Sequence, residues 1–219
     1  MRILAATLAI VAVSATVAAG ATDPRAEKIR LRPADVALAK RSVLRQSDVG
    51  PDWNRIPTKR LPNGQFACAS FKPDFSRFTV TGHAWASFQL PSPAGAQMDS
   101  MVAVFKTKAQ AVADFRLGAR RELAGCFAQQ LRQAFRRYPA GVTGRLLSSK
   151  MVKAPRFGER SAAYAITARL TGNGTSLPLF VDVLAIQRGR SIAGLYFTGV
   201  GSRLPSQRYF ASAITGRLR

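Results

Sequence analysis

"RFTVTGHAWASFQLPSPAGAQMDSMVAVFKTKAQAVADF", residues 77–115, changes periodicity partway along, and that change decides the fold. Up to Leu90 the stretch is rich in Phe, Val, Thr and Trp, as a strand is. After the loop "PSPAGA", residues 97–105 return to the same character, so two antiparallel strands joined by a Pro/Gly loop are predicted. From Thr107 the spacing becomes helical. Val112, Phe115, Ala119, Leu123, Cys126 or Phe127, Leu131 and Phe135 recur every three or four residues. This predicts one long amphipathic helix over about 107–137, capped by Thr107 and ended at Pro139. Its outer face carries Arg116, Arg120, Arg121, Arg132 and Arg136. A hairpin followed by a helix with one apolar stripe implies an α+β domain, with the helix laid on a twisted antiparallel sheet.

Working outward, the downstream half returns to β pattern. "VTGRLLSSKMV" (142–152) reads as a strand, and two more flank "GNGT", where Asn-Gly tolerates the positive φ of a tight hairpin. "VDVLAIQRGRSIAGLYFTGV" (181–200) is a further hairpin, turning at Arg188-Gly189-Arg190. The chain closes in a helix capped by Ser206, its inner face formed by Phe210, Ala213, Ile214 and Leu218. Upstream, "PADVALAKRSVLRQSD" places Val36, Ala39, Val43 and Leu44 on one stripe of an N-terminal helix begun by Pro33. Residues 54–75 hold Pro57, Pro62, Gly64 and Pro73 and are too broken for a long element.

The chain opens with Arg2, an uncharged apolar run from Ile3 to about Val13, and small residues ending Ala19-Gly20-Ala21. That is the layout of a secretory signal. The run is shorter than the ~20 residues a bilayer span needs. Cleavage is expected after Ala21, with Ala19 as the alternative. The expected organisation is therefore a signal peptide over 1–21, a flexible lead-in over 22–33 and a single α+β domain over 34–219, in a secreted, extracytoplasmic protein.

The sequence has 33 Lys and Arg against 11 Asp and Glu. From Leu123 onward only Glu159 and Asp182 are acidic, against fifteen basic residues. Such a surface attracts polyanions such as acidic envelope polymers or anionic lipid head groups. The charges are spaced at intervals and form no run, so the excess also reads as composition. Nucleic acid is not an expected partner of an exported chain.

Residue types able to do chemistry are few. A zinc site wants four ligands in close pairs, and here there are two cysteines, one histidine and no CxxC spacing. A Cys–His or Ser-His-Asp centre would have to be built on His83, and no GxSxG elbow occurs. Asp52, Asp74, Asp99 and Asp114 are carboxylate candidates by elimination only. Neither a phosphate-binding GxxxxGK[ST] loop nor a dinucleotide fingerprint is present. No catalytic residue, metal or cofactor is assigned. For Cys68 and Cys126, an even pair in an exported chain, the expected state is a disulfide. The Gly-rich "TGVGSRLPSQR" before the last helix suggests an anion site with Arg203 and Arg208, joined on the candidate list by Arg188 and Arg190.

The order of blocks "LRQSDVGPDW", "TVTGHAWASF", "MVAVFKTKAQAVADF", "APRFGERSAAYAI" and "VDVLAIQRGRSIAGLYF", with a cysteine after the first and one in the helix, resembles a diffuse group of secreted actinobacterial proteins. The group includes PknH-like extracellular sensor domains of bacterial serine/threonine kinases and PsbP-like lipoproteins. The resemblance covers roughly residues 40–217 and implies an antiparallel sheet flanked by helices and a ligand-sensing or ligand-binding role. It transfers no functional residues, and the chain has no kinase region. The expected function is thus a non-enzymatic binding or sensor-like module of the cell envelope with an unidentified ligand. The alternatives are a secreted hydrolase or an accessory subunit of an envelope complex.

Overall fold

The computed structural model describes residues 24–57, 68, 70–91, 95–204 and 207–218. The expected signal peptide and the Ser206 cap lie outside the described residues. The α+β architecture is as the sequence predicts: a twisted, unclosed sheet, antiparallel in every pair but that of Lys28–Ile29 with Thr79–Val80, with helices on both faces.

In chain order the elements are β1 (Lys28–Ile29), α1 (Pro33–Ser42), α2 (Gln46–Val49), β2 (Asn54–Ile56), β3 (Thr79–Leu90) and β4 (Ala96–Phe105). They continue with α3 (Lys108–Gly118), α4 (Leu123–Phe135), β5 (Val142–Val152), β6 (Arg160–Gly172), β7 (Thr175–Arg188), β8 (Ser191–Val200) and α5 (Gln207–Arg217). The sheet order is β1-β3-β4-β8-β7-β6-β5, with β2 also pairing with β3. The β6–β7 turn is Asn173-Gly174, with φ of 50° and 74°, which is why this hairpin needs that dipeptide.

The described part of the segment read as a lead-in is tied to the sheet at Lys28–Arg32. Lys28, Arg30 and Arg32 donate their backbone N–H groups to the carbonyls of Phe78, Val80 and Thr81, so this polar segment runs parallel to β3 as a short edge. Lys28, Ile29 and Arg30 are exposed, so the backbone ladder holds this edge and no apolar period is needed.

Alternating side chains give the sheet two apolar faces. On one, Phe88, Met98, Val102, Leu195 and Phe197 pack against α1 and α5 through Ala39, Phe210 and Ile214. On the other, Tyr164, Ile166 and Val183 meet α4 through Leu123, Phe127 and Leu131. Helix α1 approaches β3 most closely at Gly82, beside a register shift between Val80 and Gly82. A Cβ there would overlap the Asp35 carbonyl oxygen and lie 2.8 Å from the Val36 nitrogen. Gly82→Ala is expected to cost about 1–3 kcal/mol, since backbone on the other side must give way. A lower denaturation midpoint in urea checks it.

The helix expected over 107–137 comes in two pieces. Thr107 caps α3 by accepting from the Gln110 N–H at 3.1 Å, as predicted. At Ala119 the backbone turns to φ −85°, ψ 62°, and the Arg120 N–H donates to the Gly118 carbonyl. This is an inverse γ-turn. Tyr164 Oη donates to the Arg120 carbonyl at 2.9 Å, an acceptor it shares with the Leu123 N–H, so a sheet side chain is fastened to the break. The break changes the direction of the chain, letting α3 cover β4 and β8 while α4 covers β5 and β6.

Candidate functional site

The row Met101–Gly194–Ala185 runs in register across β4, β8 and β7. Gly194 lets the Met101 side chain lie against the strand, since a Cβ would sit 2.9 Å from Met101 Cγ. Ala103 and Ala185 on the same face are also too short to fill the space beneath the α3–α4 break. Above them α3 ends at Gly118-Ala119, again without bulk. The outcome is an apolar cavity of about 110 Å³ between sheet and helices, floored by Ala103, Ala185 and Gly194 and roofed by Phe115 and Gly118. Tyr196, stacked on Trp85 with centroids 6.0 Å apart, forms one wall.

Two carboxyl groups line this otherwise apolar space, Glu27 just before β1 and Asp114 on α3. Asp114 is 9% exposed, and its Oδ2 has no hydrogen-bond partner among the described residues. Glu27 Oε2 is likewise buried and unpartnered. Burial and the nearby Glu27 charge push the Asp114 pKa up to about 8. Burial raises Glu27 as well, only partly offset by its own backbone N–H.

The other acids that the structure pairs are differently placed. Asp35 takes two hydrogen bonds from Arg190, Asp48 two from Arg217, Asp182 is bonded to Arg203, and Glu159 meets Lys108 at 2.9 Å. The Arg190 guanidinium is the chief reason the Asp35 carboxyl is held below its ordinary range. In so basic a chain, two acids that line one apolar cavity, each with a buried oxygen lacking a partner among the described residues, stand apart.

The remaining sequence candidates are dispersed. Cys68 and Cys126 are brought together with sulfurs at disulfide distance, 2.11 Å, attaching the segment around Cys68 and Phe71 to α4. Asp52 and Asp74 are exposed, and Asp74 caps the Ser76 N–H at 2.9 Å. Asp99 is buried but engaged by Ser87 Oγ and by Gln97 Nε2 at 2.9 Å. His83 lies opposite Ala103 with Nε2 buried and unpartnered among the described residues, and burial lowers its pKa.

The four arginines do not converge. Arg188 and Arg190 stand at one end of the β7–β8 hairpin, while Arg203 and Arg208 follow the other end of β8. Arg188 donates to the Thr215 carbonyl, and Arg203 is bonded to Asp182 and lies 5.0 Å over the Phe180 ring. Gln207 also donates to Asp182 at 2.9 Å, so the start of α5 already faces a carboxylate. Among the described residues, no group of three or more His, Cys, Asp or Glu is gathered as for a metal, and no helix is long and apolar enough to cross a membrane.

Sequence reasoning named Asp114 only by elimination and missed Glu27. A lone acid in a polar lead-in gives no sign that it is buried. The one available hint was Asp114 itself, next to Phe115 of the apolar stripe.

No family model and no curated protein matches the chain. Among solved structures it is similar to the extracellular domain of PknH from Mycobacterium tuberculosis, at 10% identity and a TM-score of 0.49, over 85% of this chain and 97% of that one. It is also similar to LpqN, involved in cell envelope biogenesis of the same organism, at 10% identity and a TM-score of 0.29, over 77% and 76% of the two chains.

Proposed function

We propose that the protein is an extracytoplasmic, non-enzymatic ligand-binding module, and that its ligand is a small molecule with an apolar body held between the sheet and the α3–α4 break. The observation that carries this reading is the apolar cavity of about 110 Å³ over the middle of the sheet. Apolar cavities of this order stay dry and take up small hydrocarbons, and ligand sites are commonly concave, apolar and served by a few polar groups. A binding role, not catalysis, also accords with the scattered positions of His83, Asp52, Asp74 and Asp99. The cysteine pair supports an oxidising compartment. The basic surface remains a means of staying near an anionic envelope, separate from the cavity.

Toluene titrated into the isotopically labelled protein should shift the amide resonances of Ala103, Ala185 and Gly194 saturably. Ala185→Phe, whose ring would occupy the cavity, should abolish the shifts while leaving the fold intact. Shifts that never saturate, or that survive Ala185→Phe, would sink the proposal.

A further inference from the structure

Building on the cavity as the ligand site, we infer that its ligand carries a primary amine, whose ammonium group is held by Asp114 and Glu27 while the apolar body lies against Ala103, Ala185 and Tyr196.

The inference rests on charge complementarity inside the cavity. Asp114 Oδ2 and Glu27 Oε2 are buried, unpartnered among the described residues, and belong to residues that line the same apolar space. A buried polar group without a partner costs free energy that a ligand donor recovers. Two facing carboxyls disfavour each other's ionisation, and one cation between them relieves both. An anionic ligand would further oppose the ionisation of two acids that burial already disfavours, and a neutral alcohol could satisfy one acceptor but stabilise no carboxylate. A bare divalent ion fits poorly, because calcium wants six to eight oxygens and magnesium an octahedron, whereas the rest of the wall is mostly hydrocarbon. An ammonium with three N–H donors and an apolar substituent matches both ends.

The surface and the interior therefore select oppositely. The exterior of a chain with a formal net charge of +22 attracts anions, while the two acids inside offer a cation the carboxylate form that burial alone disfavours. Three positively charged side chains exist for every acid, yet neither Asp114 Oδ2 nor Glu27 Oε2 has one of them as partner among the described residues.

The test compares benzylamine, benzyl alcohol and benzoate by calorimetry on the intact protein at neutral pH, with toluene as the uncharged reference. Benzylamine should bind about ten- to a hundredfold more tightly than benzyl alcohol, the range expected of a charge-assisted hydrogen bond. Benzoate should bind least. Asp114→Asn and Glu27→Gln should each reduce the amine's advantage without weakening toluene. Benzoate binding as tightly as benzylamine would overturn the inference, as would an amine preference that persists in both variants. So would calcium or magnesium displacing benzylamine at equal concentration. Saturable toluene binding with no amine preference would overturn the amine alone and leave the cavity reading standing, whereas absence of binding by all four would remove both.

Discussion

Asp114→Asn is expected to leave stability nearly unchanged in acid and to raise it by about 5 kcal/mol in alkaline solution. The carboxyl is raised from an ordinary value near 3.8 to about 8 by burial and by Glu27. A group whose pKa is higher in the folded state favours folding while it is protonated. Its contribution is complete below about pH 4 and is lost progressively as the pH climbs to about 8, because the unfolded chain ionises freely while the folded one resists. A shift of about four units corresponds to about 5 kcal/mol. Asn matches the neutral carboxyl in shape and never titrates, so it escapes the loss. Glu27→Gln should act in the same direction, since burial raises that group also. Urea denaturation near pH 4 and near pH 9 measures the difference, and equal effects at both would refute the burial of an uncompensated acid. A residue that costs stability at working pH and yet lines a cavity is characteristic of a site kept for binding.

Opening the link between Cys68 and Cys126 should cost about 4 kcal/mol. The two cysteines are 58 positions apart, and in the chain-entropy description a closed loop of that size restrains the unfolded chain by about that amount. Locally, Cys68 and Phe71 exchange backbone hydrogen bonds and pack beside the fully buried Cys126, so release also loosens the cover over α4. Denaturation midpoints with and without reductant, together with a Cys68→Ala/Cys126→Ala variant, measure the cost. Intact-mass analysis should find no alkylatable thiol before reduction. Two reactive thiols in the native protein would show that the sulfurs are not bonded.

The strands and the outer helices could be read from local pattern. Ala84 and Ala86 alternate with the half-buried His83 and Trp85, Leu195 and Phe197 alternate with the half-buried Tyr196 and Thr198, and Asn173-Gly174 or Gly189 announce the turns. What stayed hidden is long-range. In "LGARRELAG" only Gly118 hints at the turn at Ala119, since Arg120, Arg121 and Glu122 are good helix formers. The Tyr164 hydroxyl, 44 residues away, adds a second hydrogen bond to the Arg120 carbonyl at this turn, a contact that local sequence does not show. The cavity arises from that break above three short side chains contributed by three strands. Glu27 and Asp114 meet only once β1 has paired with β3. The anion site anticipated before α5 rested on arginine positions, but Arg203 and Gln207 turn inward to Asp182.

Strand β8 has a consequence for the order in which this molecule can assemble. It sits between β4 and β7, so the β3–β4 pair and the β5–β6–β7 meander share no backbone ladder without it. A growing chain that has reached only residue 190 holds two half-sheets, each with a naked edge open to pairing with other chains. Closure waits for residues 191–200, and α5 then seals the face behind them. The pairing of β8 with β7 is a local hairpin, but its pairing with β4 joins segments far apart in the chain, and until that slow step is complete the open edges are exposed to aggregation.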